Sequence, residues 1–353
     1  MKKTISKFVF ALSITTIFFA CKKTENTPEI IPSSGTTITF DGGTGGASAS
    51  KSAFVDLSTD KASSVLRSSW DLGFYSGSDF RVIINNTTSA AAKVTTATDL
   101  AAIGEADTTS LTLAINQASP SADFYNYIDA LDGNLTNTVI PAIASNDADN
   151  KVIIINRGKG GGVDARPWIK AKITRNSSGG YTLQYGTITQ TTGFTSVNIA
   201  KDAAYNFTHV SFDGGLIVSV EPKKTEWDFT WSYAVSEANF GVGFVPYNFS
   251  DLVSINYLGG VTVCEKVYVD AATRNTAYTN FNKDSVTAST FTNNRWAIGS
   301  KWRSTQPATG VKTDRFFVVK DNNNNYYAVK FLSMGVNDGG VRGNPQFEYK
   351  LIK

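Results

Sequence analysis

Trp70-Asp-Leu-Gly-Phe74 and Trp227-Asp-Phe-Thr-Trp231 are two copies of one pattern, a tryptophan and an aspartate opening a short run of apolar residues. Each copy is followed by a hairpin signature. The first runs from Pro167 to Tyr185 and turns at Asn176-Ser-Ser-Gly-Gly180; the second runs from Arg315 to Phe331 and turns at Asp321-Asn-Asn-Asn-Asn325. Both place alternating apolar residues on either side of turn-forming Asn, Asp and Gly. Duplication of one β unit is the simplest account, with halves at 36–200 and 201–353.

Around these anchors the chain alternates short runs of Val, Ile, Thr, Tyr, Phe and Trp with Gly, Asn, Asp and Ser clusters, the texture of many strands. Strands are expected at Thr36–Phe40, Trp70–Tyr75, Phe80–Ile84, Val152–Ile155, Trp168–Thr174 and Tyr181–Tyr185. Others are expected at Leu216–Val220, Trp227–Tyr233, Val261–Val269, Arg315–Lys320, Tyr326–Phe331 and Phe347–Ile352. The fold class is therefore all-β, mainly antiparallel sheet, with one or two short helices. One helix is predicted over Ser119–Leu131: Ser119 caps it, Pro120 fits the first turn, Phe124, Tyr127, Ile128 and Leu131 share a face, and Gly133 stops it.

Composition narrows the function. The 353 residues are 41% hydrophobic and 18% charged, with 33 basic and 30 acidic side chains. Such a chain buries a core without staples and is too aromatic for a disordered one. Residues 1–20 read as a secretory leader with a basic start at Lys2, Lys3 and Lys7 and an apolar stretch from Phe8 to Ala20. That stretch is too short and too polar to span a bilayer. Ala20 followed by Cys21 matches a bacterial lipoprotein signal, making Cys21 the expected lipidation site; Phe18 and Phe19 depart from the usual box. Residues 21–35, with Pro28 and Pro32, then form a flexible tether. Without the leader lysines, 30 basic residues face 30 acidic ones, and no positive field remains to attract nucleic acid. Only Cys264 is left as a free thiol, so no internal disulfide forms; its alternating surroundings suit a buried, inert side chain.

The Trp227-Asp228 strand, the Phe316–Phe331 hairpin and the ending Gly343-Asn-Pro-Gln-Phe-Glu-Tyr349 together resemble the HmuY family of Bacteroidetes surface lipoproteins. Trp70 and Asp71 carry a weaker copy of the same likeness. The resemblance implies a β-rich, non-enzymatic ligand-binding protein anchored at the outer membrane or cell surface, with haem as the candidate cofactor and an outer-membrane receptor as a candidate partner. The family's best-known member takes haem iron between two histidines located between the Trp-Asp strand and the closing hairpin. From Tyr233 to Asp314 this chain has neither histidine nor methionine, so those ligands do not carry over.

Haem iron accepts His, Met, Cys or Tyr. His209 and Met334 are the metal-ligand candidates, and Trp296 and Trp302 join them as residues able to stack on a flat ligand, porphyrin or sugar. Each has a plainer reading. A lone imidazole without a second ligand at a recognisable spacing suits a hydrogen-bonded strand residue, and a methionine beside a strand commonly fills a core gap. A surface structural or glycan-associated module is the second hypothesis. A glycosidase is the third, resting on Asp56, Asp60, Asp71, Asp213, Glu226 and Asp228, whose spacing does not pair them. Asp71 and Asp228 are expected to bond nearby backbone at strand starts. Arg157-Gly-Lys-Gly-Gly-Gly162 lacks the Lys-Ser/Thr ending of a phosphate loop and reads as a mobile hairpin loop. Asp321–Asn325 lacks the glycine and closing acid of a calcium loop and reads as a turn.

Overall fold

The computed structural model describes residues 31–241 and 243–353. The leader 1–20, Cys21 and the first part of the tether lie outside them.

Among the described residues twenty strands follow in chain order. The first six are β1 (Thr37–Thr39), β2 (Lys51–Asp56), β3 (Lys61–Leu66), β4 (Leu72–Tyr75), β5 (Val82–Ile84) and β6 (Ala91–Val94). Next come β7 (Ile153–Asn156), β8 (Ile169–Arg175), β9 (Tyr181–Thr187), β10 (Thr195–Ile199), β11 (Phe207–Ser211) and β12 (Leu216–Val218). β13 (Phe229–Asn239) and β14 (Phe244–Ile255) form a long hairpin. The rest are β15 (Thr262–Val267), β16 (Arg303–Thr305), β17 (Ala308–Val311), β18 (Arg315–Lys320), β19 (Tyr326–Ser333) and β20 (Gln346–Leu351).

Apart from the small β16–β17 pair, the strands build four antiparallel sheets. Two have four strands, ordered β12-β11-β4-β5 and β3-β2-β13-β14; two have five, ordered β10-β9-β8-β7-β6 and β1-β20-β19-β18-β15. Each four-stranded sheet packs on a five-stranded one. Leu72, Phe74, Val82 and Ile84 meet Ile153, Ile155, Ile173 and Leu183 in one core; Val55, Phe229, Trp231 and Ile255 meet Phe317, Val319, Val329 and Phe347 in another. The antiparallel, β-dominated class expected above is what the chain adopts.

The duplication runs through the hydrogen bonds. The Asp71 amide donates to Val210 O and its carboxylate accepts the Phe212 amide; the Asp228 amide donates to Val55 O and its carboxylate accepts the Leu57 amide. Asn85 Nδ2 bonds the carbonyls of Trp70 and Arg67, and Asn256 Nδ2 bonds those of Trp227 and Lys224, the same offsets from each tryptophan. The hairpins β8–β9 and β18–β19 are likewise counterparts. The repeats do not follow each other along the chain as blocks, however. β11, which pairs with β4, lies beyond residue 200, while β2, its counterpart beside β13, comes from the N-terminus. The amide of Leu351 donates to Ser34 O at 3.0 Å, so the two ends of the body meet and the second repeat is completed by β1, β2 and β3.

β18 is buried from Phe316 to Val319 because it is covered on both faces. One face meets the second core; the other is covered by α1 (Ala271–Asn280) and α2 (Lys283–Thr287) through Tyr278, Phe281 and Val286. Cys264 is buried in that layer as a free thiol, in keeping with the expectation of an inert one. The predicted helix over Ser119–Leu131 is instead a single stretch of 3-10 turn, Ala122–Tyr127, opened by Ser121 and leaving helical geometry at Ile128. Phe124, Ile128 and Leu131 do enter the core. What ends the turn is Asp129: its two carboxylate oxygens accept the amides of Ile84 and Val139, both at 2.9 Å, which pulls the backbone away from the helical path.

The glycine run 157–162 is packed, contrary to the expected mobile loop. A Cβ at Gly158 would lie 2.1 Å from Thr88 O and one at Gly162 would lie 2.0 Å from Ser48 O. Both glycines also have positive φ, at 83° and 76°. Only a residue without a side chain lets the backbones approach so closely. Asp321 accepts the amides of Asn323 and Asn325, which makes that segment the hairpin turn expected of it.

Candidate functional site

The tryptophans of the two Trp-Asp pairs open onto one cavity of about 140 Å³. One repeat contributes Trp70, Ile83 and His209; the other contributes Phe54, Trp227 and Thr230. The strands place these side chains by register. His209 on β11 lies opposite Gly73 on β4, and Phe54 on β2 lies opposite Thr230 on β13; Gly73 and Thr230 are each the third residue after their tryptophan. The His209 ring meets Trp70 edge-to-face at 4.7 Å, and the Phe54 ring meets Trp227 edge-to-face at 5.1 Å.

The polar groups in the wall fall into two kinds. Some are spent on the fold. Glu221 accepts the amide of Phe207 at 2.7 Å, Asp129 accepts the two amides named above, and Asn206 Nδ2 bonds Asn256 Oδ1. Burial pushes the Glu221 carboxyl up to about 8 and Asp129 up to about 6, the latter partly offset by its amide bonds and by Arg295 at the wall. Burial pushes the His209 imidazole down to about 3, leaving it neutral. Others are unspent. Trp227 and Thr230 line the cavity as residues 8% and 6% exposed, and their Nε1 and Oγ1 atoms are buried without a hydrogen-bond partner.

The four residues singled out from sequence are not gathered in one place. His209 lines the cavity. Met334 is fully buried in the second core. Trp302, also fully buried there, stacks on Phe331 at 4.4 Å. Trp296 is half-buried, donates Nε1 to Leu131 O at 2.6 Å and carries the Arg295 guanidinium over its ring at 4.8 Å. Cys21 lies outside the described residues. Sequence marks Trp70 and Trp227 as anchors of the repeat and of the family likeness and not as cavity walls, although two like aromatics at matching repeat positions are a signal; Thr230 and Glu221 carry none.

Asp71 and Asp228 do bond backbone, as expected, and Asp71 does more. Arg157 holds it with two bonds of 2.8 and 2.9 Å, Arg166 approaches at 3.1 Å, and Arg157 also reaches Asp213. None of the six carboxylates considered for a glycosidase lines the cavity. Among the described residues no group of three or more His, Cys, Asp or Glu is placed to hold a metal ion.

These features define a two-repeat antiparallel β protein with a cavity between its repeats. The HmuY protein family matches the chain over residues 48–349, and the chain belongs to that family. Comparison with curated proteins gave no match, and comparison with solved structures gave none. Among the described residues no helix is long and apolar enough to cross a membrane.

Proposed function

We propose that the protein is a non-enzymatic binding protein, carried at the outer membrane or cell surface by a lipid on Cys21, which captures a small ligand in the cavity between its repeats and passes it to an outer-membrane receptor. The observation that carries the reading is the wall of that cavity: apolar and aromatic for the most part, with a few polar groups, two of them without a partner. That composition is the usual one for a ligand site. Family membership supports the binding role.

Haem is the ligand that the family brings forward, and the residues here do not fit it. The cavity is about 140 Å³, below the ~300 Å³ at which drug-sized ligand sites begin. Its one imidazole is packed against Trp70, and the other candidate ligand, Met334, is enclosed in a different part of the molecule. Titration of the mature protein with haemin tests this directly. The expected result is no saturable Soret shift that depends on His209; loss of such a shift in His209→Ala restores haem capture as the function. A glycan array answers the second reading, a sugar-associated module, for which the buried Trp302 gives no platform. Mass spectrometry of the membrane fraction is expected to find a diacylglyceryl group on Cys21. An intact, unlipidated leader removes the anchor from the proposal.

A further inference from the structure

The two repeats guard their outer strand edges differently. Because the Asp71 amide donates to Val210 O and the Asp228 amide to Val55 O, Val210 and Val55 hold equivalent positions. Across from them stand Ile217 on β12 and Ala62 on β3, each strand the last of its sheet. The neighbouring pairs extend the match: Leu216 answers to Lys61 and Val218 to Ser63. One repeat therefore ends its sheet on lysine, alanine and serine, the kind of edge that discourages further pairing. The other ends on Leu216, Ile217 and Val218, and Leu216 and Ile217 are 59% and 55% exposed. Either edge serves the fold, so the fold does not account for the apolar one. The backbone is open as well. Val210 O faces β4, so Ile217 opposite it turns its own N–H and C=O away from β11. Among the described residues neither group has a hydrogen-bond partner.

An unpaired strand edge is recognised by another extended backbone, which supplies the missing donor and acceptor. We propose that β12 is a self-association edge, to which a second copy of the chain adds its own β12 antiparallel, across a twofold axis through Ile217. The strand is suited to meet itself. With Ile217 on the axis, the two Ile217 residues exchange their N–H and C=O bonds, and Leu216 of one copy stands opposite Val218 of the other. No charge falls inside the pairing. Outside it, Asp213, exposed although bonded to Arg157, precedes β12, and Lys223 and Lys224 outnumber Glu226 after it. An antiparallel mate brings these unlike ends together, whereas a parallel one sets like against like. Three residues a side are far fewer than the ~20–30 a side of a stable complex, so association in solution is weak and reversible. Chains held on one surface by the lipid proposed for Cys21 meet at a higher effective concentration.

Cysteine pairing reads the register. Leu216→Cys and Val218→Cys are made in separate full chains and oxidised with copper phenanthroline, each alone and the two mixed, with the parent, whose Cys264 is buried, as the blank. The closely spaced pairs of an antiparallel ladder hold their Cα atoms ~4.5 Å apart, within disulfide reach. The mixture is therefore expected to give at least fivefold more disulfide dimer than either variant alone. Sedimentation of the parent is expected to show a dimer fraction that rises with concentration. Leu216→Lys, which copies the residue of the other repeat, is expected to lower the association constant at least tenfold with an unchanged melting temperature. A parent that stays monomeric with no excess disulfide in the mixture, equal cross-linking in all three samples, or a dimer that survives in folded Leu216→Lys overturns the proposal. So does the trapping of a different protein by Leu216→Cys in cell membranes without a dimer of the chain itself. Should Leu216→Lys fail to fold, the mixed-cysteine result decides alone.

Discussion

His209 and Phe54 occupy the same place in the two repeats: each lies across from the third residue after a tryptophan and presents its ring edge-on to that tryptophan, at 4.7 and 5.1 Å. The single histidine of the chain thus stands at an aromatic packing position. His209→Phe is expected to preserve the fold, with a stability change below ~1.5 kcal/mol at pH 8, as for shape-conserving core replacements. The difference emerges in acid. Unfolded imidazole takes up its proton near 6.5 while the folded one resists to about 3, so protonation favours the unfolded chain and the parent loses stability as pH falls from 6.5. Urea unfolding at pH 8 and pH 5 checks this: the variant should gain on the parent at pH 5 by up to ~1.4 kcal/mol per pH unit below 6.5.

Glu221 acts in the opposite direction. Its folded carboxyl holds the proton up to about 8, against an ordinary value of 4.5, so the unfolded chain ionises first and the parent loses stability as pH rises between those values. Glu221→Gln keeps an acceptor for the Phe207 amide and removes the titration. Denaturation midpoints should show the variant ahead of the parent above pH 6, by a margin that widens to pH 8 and then levels.

Asp71 and Asp228 share a backbone role but differ in surroundings. Asp71 is clamped by Arg157, both side chains nearly fully buried, whereas Asp228 has no ion pair among the described residues and burial pushes its carboxyl well above the usual range. Arg157→Ala takes the two-bond partner from a buried carboxylate that then keeps only Arg166 and the Phe212 amide, and should cost up to ~3–5 kcal/mol. Asp228→Asn keeps the oxygen that accepts the Leu57 amide and should cost below ~1.5 kcal/mol, near the net worth of one neutral hydrogen bond. Chemical denaturation of the two variants under one buffer decides it.

Met334 and Trp302 belong to the second core. Met334→Ala should cost ~2–5 kcal/mol and Trp302→Ala ~3–5 kcal/mol, read from urea midpoints; an unchanged midpoint in either variant would remove that residue from the core.

The Trp-Asp repeat, the two closing hairpins and the Asp321–Asn325 turn were legible because each combines strand periodicity with turn chemistry. β2 and β3 were not. Lys51–Asp56 and Lys61–Leu66 are short and polar, β3 is mostly exposed, and nothing local marks them as the missing part of a repeat whose tryptophan lies far along the chain. α1 is not legible because Ala271–Asn280 has no apolar stripe; it buries only Arg274 and Tyr278, and its one clear signal is the Asp270 side chain capping the Thr273 amide. The cavity is a product of pairings between distant segments. A sequence shows the tryptophans but not that they share a wall.

Because the Leu351 amide bonds Ser34 O, the ends of the body can be joined and the chain reopened elsewhere. A permutant that links Lys353 to Ser34 through a short glycine-serine bridge and begins in the segment between β12 and β13 keeps all the strands of each repeat contiguous. It should fold with the parent's circular dichroism spectrum and melt within a few degrees of it.

In the natural order the same closure has a temporal side. Thr37 pairs with Glu348 and Phe54 with Thr230, so β1 has no sheet partner until β20 is made, and β2 has only its hairpin neighbour β3 until β13 follows. That first strand must wait for nearly the whole polypeptide to be delivered, and a chain cut short at its tail leaves its own head stranded.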